Sequence, residues 1–227
     1  MQTIIMISAK QGGGKSSVTD ELMRPYIERM KLLKEKKIAG APAWANLPFD
    51  FVGVHKFAKE LYALSHVVQN RMQTLTGIPP IEKDGDLLQL LGNWARKRYG
   101  ADVWVNCLVK ELGGLKSAMP EAFQSARGAF IDDCRFENEF NAFPSALRIR
   151  LECPEDVRKA RTPVWREDVN HPSEIGLDKY AAEGRFDLYF NTDPANRAYL
   201  DVAGVCSLIT AQLQKNNWVE KRRAYHD

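Results

Sequence analysis

Two apolar periods run through this chain. Short continuous apolar runs, Ile4-Ile5-Met6-Ile7, Ala129-Phe130-Ile131 and Leu188-Tyr189-Phe190, read as buried strands. They predict strands over Thr3 to Ser8, over Gly128 to Asp132 and up to Asn191, with others over Phe51 to Val54 and Leu147 to Glu152. Between them the spacing becomes helical. Val18, Leu22, Tyr26, Met30 and Leu33 predict a helix from Lys15 to about Lys36, bent at Pro25. Further helices are expected over about 56–75, 86–98, 102–112, 136–143 and 197–215, and Pro154 is expected at the first position of another. Residues 38–48 and 76–84, broken by proline and glycine, read as irregular connections. Strands alternating with helices imply an α/β fold, with a parallel sheet of about five strands covered on both faces. The whole chain, 1–227, is expected to form one domain.

Composition narrows this picture only slightly. A net charge of +3 is small for 227 residues and argues against a nucleic-acid partner held mainly by charge. No apolar run approaches the roughly 18 residues of a membrane span. The N-terminal apolar stretch has no basic leader and runs straight into glycines, so a cytoplasmic location is expected. Cys107, Cys134, Cys153 and Cys206 show no zinc or paired-thiol spacing and are expected to be reduced.

The candidate chemistry begins where the first strand ends. Ala9-Lys10-Gln11-Gly12-Gly13-Gly14-Lys15-Ser16 matches G-x-x-x-x-G-K-[ST] except that Ala9 replaces the first glycine. The glycines allow the backbone to turn its N–H groups inward as an anion nest, and the following helix adds its positive dipole end. Lys10, Gln11, Gly12, Gly13, Gly14, Lys15, Ser16 and Ser17 are therefore expected to bind the phosphates of ATP. Lys15 would reach the β- and γ-phosphates, and the Ser16 hydroxyl would join the coordination of Mg²⁺.

Ligands of parallel sheets sit beyond the carboxyl ends of the strands. Asp132-Asp133 lies there, after an apolar strand. One carboxylate is expected to serve Mg²⁺ and the other to cap the next helix; Asp132 is favoured for the metal because it continues the strand. Arg158, Arg161 and Arg166 belong to a basic stretch that could close over the transferred phosphoryl group and stabilise its charge. A solvated basic surface is the plainer alternative.

Taken together, these segments resemble the deoxynucleoside monophosphate kinases of bacteriophages, within the P-loop nucleotide kinases related to adenylate kinase. The resemblance rests on the phosphate loop, on Lys56-Phe57-Ala58-Lys59-Glu60-Leu61, and on Lys83-Asp84-Gly85-Asp86-Leu87-Leu88-Gln89-Leu90-Leu91-Gly92. It continues with Arg98, Asp102-Val103-Trp104-Val105, and Ile131-Asp132-Asp133-Cys134-Arg135-Phe136-Glu137-Asn138-Glu139. His171-Pro172-Ser173-Glu174, with Asp187 and Asn191, completes it.

The resemblance implies a P-loop kinase sandwich with a helical acceptor-binding region near 55–115 and a lid near 155–175. It implies Mg²⁺-dependent transfer of the γ-phosphate of ATP to a deoxynucleoside 5′-monophosphate for phage DNA synthesis, in the host-cell cytoplasm. Catalytic roles would fall to Lys15, Arg158, Arg161 and Arg166, and metal binding to Ser16, Asp132 and Asp133. Lys59, Arg96, Arg98 and Arg135 are candidates for holding the acceptor, Phe57 and Trp104 for stacking on its base, and His171 and Glu174 for contacting it. The plainer alternatives are a core place for the two aromatics and a helix start at His171–Glu174 with Ser173 as cap. Two other activities remain beside this one: a kinase acting on a hydroxymethyl-pyrimidine base within DNA, and a nucleotide-binding switch or assembly ATPase. Base and sugar preference and the oligomeric state, a homodimer included, stay open.

Overall fold

Five parallel strands form one sheet in the computed structural model, which describes residues 3–34, 51–81, 84–118, 128–162, 165, 171–196 and 199–215. The strands are β1 (Thr3–Ser8), β2 (Phe51–His55), β3 (Gly128–Ile131), β4 (Leu147–Glu152) and β5 (Leu188–Asn191). Their order is β2-β3-β1-β4-β5, so β1 lies at the centre, with Ile5 opposite Phe130 on one side and Leu147 on the other. A central strand buried on both faces must be apolar throughout, which is why Ile4 to Ile7 show no alternation.

The helices are α1 (Lys15–Lys34), α2 (Lys59–Thr76), α3 (Gly85–Tyr99) and α4 (Val103–Ala118). The short α5 (Glu137–Asn141), α6 (Glu155–Arg161), α7 (Pro172–Ile175) and α8 (Asp178–Ala182) precede the closing α9 (Val202–Lys215). Alternate residues of the strands supply two cores. On one face Ile5, Ile7, Phe130 and Ile149 pack with Val18 of α1 and with Val205 and Ile209 of α9. On the other, Met6, Ala129 and Ile131 pack with Leu108 and Leu112 of α4, Phe140 of α5 and Tyr180 of α8. Each fully buried large side chain contributes roughly 1.5–3 kcal/mol. The molecule is thus an α/β three-layer sandwich of the P-loop kind. No helix among the described residues is long and apolar enough to cross a membrane.

Several boundaries differ from the expected ones for physical reasons. The helix expected from residue 56 starts at Lys59, because the N–H groups of Phe57 and Ala58 are taken by Asp133 at 2.9 and 3.0 Å. α4 runs on through Gly113 and Gly114 to Ala118. Burial of Leu108 and Leu112 on its inner face outweighs the helix penalty of about 1 kcal/mol for each glycine. α5 ends at Asn141, two residues before Phe143, which the following Pro144 disfavours as a helical residue. Pro154 stands just outside α6 rather than at its first position. α9 starts at Val202, since Tyr199 pairs with Asn191 and Asp201 accepts the N–H of Gly204 at 2.8 Å. The connection 38–48, Lys83 and Arg166 lie outside the described residues, as does part of the expected lid.

Candidate functional site

The glycine loop, residues 9–16, joins β1 to α1 and needs its glycines for two different reasons. Gly12 and Gly14 have φ of 74° and 89°, a region that other residues rarely adopt. Gly12 is also crowded: a Cβ there would lie 2.5 Å from Thr162 Oγ1 and 2.6 Å from the Arg158 carbonyl. The N–H of Gly13 donates to the Lys10 carbonyl at 3.0 Å and closes the turn. Ala9, where the usual pattern has glycine, is buried with its methyl group against Gly13.

Arg158 braces this loop. It is buried, and its Nη1 donates to the Gln11 carbonyl at 3.0 Å while Nε donates to the Cys153 carbonyl at 3.1 Å. Its guanidinium thus links the loop to the end of β4. Arg161, one turn on, is exposed and spans the ends of β4 and β5, donating to the Thr192 carbonyl at 2.6 Å.

Lys15 donates to the carbonyls of Ala9 and Lys10. Burial of its ammonium lowers the pKa to about 7, helped by the nearby Arg135 and opposed by Glu174, Asp132 and Asp133. Those four residues therefore surround the lysine electrostatically. The two aspartates have separate roles. Asp133 accepts both N–H groups of the turn before α2, one on each oxygen. Burial raises its pKa against the pull of those two donors. Asp132 is buried, with Oδ2 3.4 Å from Lys56 Nζ and Oδ1 without a hydrogen-bond partner.

This divides the pair differently from the sequence expectation. Asp133 caps the turn into α2, not the helix that follows it in sequence. That helix, α5, is capped by Glu139, whose Oε2 accepts the N–H groups of Arg135 at 2.7 Å and Phe136 at 3.1 Å. Burial and the charge of Asp133 push the Glu139 pKa up to about 8.

The residues present fit Mg²⁺. An orphaned buried carboxylate oxygen on Asp132 and the exposed Ser16 hydroxyl at the start of α1 are oxygen donors of the right type. No group of three or more His, Cys, Asp or Glu side chains gathers among the described residues. Mg²⁺ needs no such cage, because it takes one or two protein ligands and fills its shell with phosphate oxygens and water.

Two further groups frame the loop. Glu174 accepts the Gln11 N–H on Oε2 and Arg135 Nη1 on Oε1, both at 2.7 Å. Lys10 pairs with Asp178 at 2.6 Å, and Arg150 bonds the other oxygen of Asp178 at 2.8 Å and Ser8 Oγ at 3.1 Å. Lys10 therefore extends away from its own loop towards α8. His171 is the cap of α7: its Nδ1 accepts the Ser173 N–H at 3.2 Å, so the cap lies two residues before the expected Ser173.

On the side of the helical region, Arg96 is half-buried, 4.0 Å from Glu139 and 4.3 Å from the Phe136 ring centroid. Arg98 is exposed and lies over Tyr99, and Lys59 is exposed and paired with Glu111 at 2.7 Å. Phe57 is 1% exposed and packs near Phe143, which removes it from the candidates for stacking on a base. Trp104 is buried beside Leu61 and Ala95, with its indole N–H unpartnered. The structure thus brings Gln11, Lys15, Asp132, Arg135 and Glu174 together, and leaves Arg98 and Lys59 engaged elsewhere.

Glu139, Asp178 and Arg150 went unassigned in the sequence reading. Arg150 carried a usable signal, since a strand that alternates Leu147-Arg148-Ile149-Arg150-Leu151 must provide a partner for a buried guanidinium. Asp178 carried none, because a five-residue helix has no readable period.

Among solved structures, the chain is similar to TT1252 from Thermus thermophilus. The two share 17% identity with a TM-score of 0.50, over 93% of this chain and 98% of that one. An uncharacterised protein from Eubacterium ventriosum aligns over 94% of this chain and 99% of its own, at 12% identity and a TM-score of 0.37. No family model and no curated protein matches the chain. The likeness to TT1252 is one of fold.

Proposed function

We propose that the protein transfers the γ-phosphate of ATP to a deoxynucleoside 5′-monophosphate. The observation that carries this reading is the pairing of two kinds of group around one lysine. Lys15, with the Gly12–Ser16 backbone, suits the phosphates of a donor, and Arg135, within electrostatic reach of that lysine, suits the phosphate of an acceptor. A helical region carrying the half-buried Arg96 stands beside Arg135. A hydrolytic switch could use one such arginine on its own nucleotide, but it gives no role to the helical region beside it.

The chemistry needs charge neutralisation and alignment more than proton removal. A monophosphate already presents an anionic oxygen as nucleophile. Lys15 would hold the β- and γ-phosphates, and its proton would be retained once a polyanion offset the cost of burial. The loop N–H groups would orient the triphosphate, with Arg158 keeping their carbonyl neighbours in place. Arg135 and Arg96 would hold the acceptor. Asp132 and Ser16 would hold Mg²⁺, which would offset the charge of the phosphates. His171 is engaged as a helix cap and has no assigned proton to move. Arg161, at the ends of β4 and β5, suits the donor side. The reading places the protein in the cytoplasm, that of a host cell if it is phage-encoded.

The test is a coupled assay of ADP formation with ATP, Mg²⁺ and each of the four deoxynucleoside monophosphates. At least one monophosphate should consume ATP well above the hydrolysis background. Equal ATP consumption with and without every monophosphate would overturn the reading.

A further inference from the structure

We infer that Glu174 is a positioning residue that joins the donor loop to the acceptor-side arginine, so that binding of ATP and of the monophosphate is energetically coupled through its carboxylate. The inference rests on the phosphotransferase reading and adds a regulation of that same site.

Its basis is a divided carboxylate. One oxygen accepts the Gln11 N–H of the phosphate loop at 2.7 Å, and the other accepts Arg135 Nη1 at 2.7 Å. The side chain is 13% exposed, so both bonds are shielded from water. Charge-assisted bonds of this length are about twice as strong as neutral ones. The segment that carries Glu174 is also seated firmly. Ser173 Oγ lies 3.4 Å from the same Arg135 nitrogen. Gly176 packs so closely that a Cβ would come within 2.7 Å of the Arg135 carbonyl. Four residues after Glu174, Asp178 adds a second latch to the loop by pairing with Lys10. Arg135 itself is held from behind, through its own N–H, by Glu139.

Each substrate works against this bridge. A triphosphate entering the loop places negative charge beside Glu174 and repels it. A monophosphate on Arg135 competes with Glu174 for the guanidinium. Whichever ligand binds first loosens the bridge, and the second then binds without that cost. The coupling is therefore positive, and by linkage its size is the same in both directions. A factor of about 10 lies within the usual range for such coupling.

The experiment measures binding of a non-hydrolysable ATP analogue by calorimetry, with and without saturating amounts of each deoxynucleoside monophosphate, and then the reverse titration. It uses the wild-type chain, Glu174→Gln and Glu174→Asp, with melting temperatures recorded for each. Aspartate keeps the charge but is too short to span both partners. The inference predicts roughly tenfold tighter binding of each ligand in the presence of the other for wild type. It predicts a factor near one in both variants, with single-ligand affinities kept or raised. A merely structural residue would instead lower the single-ligand affinities and leave the factor unchanged. No coupling in the wild type, or full coupling in either folded variant, overturns the inference, and the wild-type arm can overturn it even if both variants unfold. A chain that turns over a monophosphate without coupling loses this inference alone. A chain to which no monophosphate binds loses the phosphotransferase reading with it.

Discussion

The glycine loop, which we propose takes the donor, and the helical region of this molecule are held by different means. Around the phosphate loop, polar side chains from distant parts of the chain converge: Arg158 on the Gln11 carbonyl, Glu174 on its N–H, and Asp178 on Lys10. The helical region joins the sheet core through Leu108 and Leu112 of α4 and adds a small apolar cluster of its own, Leu61, Ala95 and Trp104. Its polar ties to the sheet layer include Asp133 to the turn before α2, Asn138 to Asp102, and Glu139 to Arg96. The contrast teaches where precision is built in. A phosphate cradle needs main-chain N–H groups fixed to fractions of an ångström, so its loop is braced on several sides. The helical region is tied instead by apolar packing and by carboxylates that hold its turn and its arginine.

Mutations should separate the two sides, and the largest effect belongs to the donor side. Lys15→Ala should reduce kcat/KM with ATP by about 1,000-fold, because no other loop side chain supplies a point charge there. Steady-state kinetics with the wild-type melting temperature as a folding control will check it. Activity within tenfold of wild type would remove Lys15 from the mechanism.

The aspartate pair should divide next. Asp132→Asn is expected to lower kcat by about 100-fold and raise the Mg²⁺ concentration needed for half-maximal activity. Asp133→Asn should instead cost about 1–3 kcal/mol of stability, since an amide cannot accept both turn N–H groups. Mg²⁺ titrations and denaturant melts of both variants test this. The reverse pattern would exchange their roles.

On the acceptor side, Arg96→Ala should raise KM for the monophosphate about tenfold while leaving KM for ATP within twofold. Arg98→Ala, at an exposed position, should change neither. Equal effects of the two substitutions would contradict the acceptor role proposed for Arg96.

The smallest effects concern pH. Lys15 titrates at about 7, and a bound polyanion raises that value, so binding above pH 7 takes up a proton. ATP affinity should fall by up to about tenfold per pH unit above neutrality, which calorimetry in buffers of different ionisation heat can follow. Glu139 has the opposite bearing on stability. Its folded pKa of about 8 lies above the ordinary 4.5, so the folded state binds more protons between those values and stability falls as pH rises through that window. Glu139→Gln should flatten the fall between pH 4.5 and 7, where Lys15 is charged in both the folded and unfolded chain. An unchanged slope would contradict the assignment.

Much of the sheet was legible because its signals are local. The runs at Ile4–Ile7, Ala129–Ile131 and Leu147–Glu152 gave β1, β3 and β4 almost to the residue. The glycine loop was equally plain, since Gly12 and Gly14 mark by their positive φ the turn that joins β1 to α1. What could not be read were contacts that depend on distant segments. Asp132 and Asp133 are adjacent and chemically alike, and only the position of the Phe57–Ala58 turn decides which is left unpartnered. Arg158 looked like a solvent-facing lid residue because nothing local reveals that the Gln11 carbonyl lies beside it. Phe57 had an attractive position after β2, yet its ring turns into the core with Phe143.

The central claim is that the two differently built sides meet on one phosphoryl group. Incubation with γ-labelled ATP, Mg²⁺ and each deoxynucleoside monophosphate, followed by separation of the nucleotides, tests it directly. The account predicts label in a deoxynucleoside diphosphate for at least one monophosphate. Label recovered only as inorganic phosphate, with all four, would contradict it.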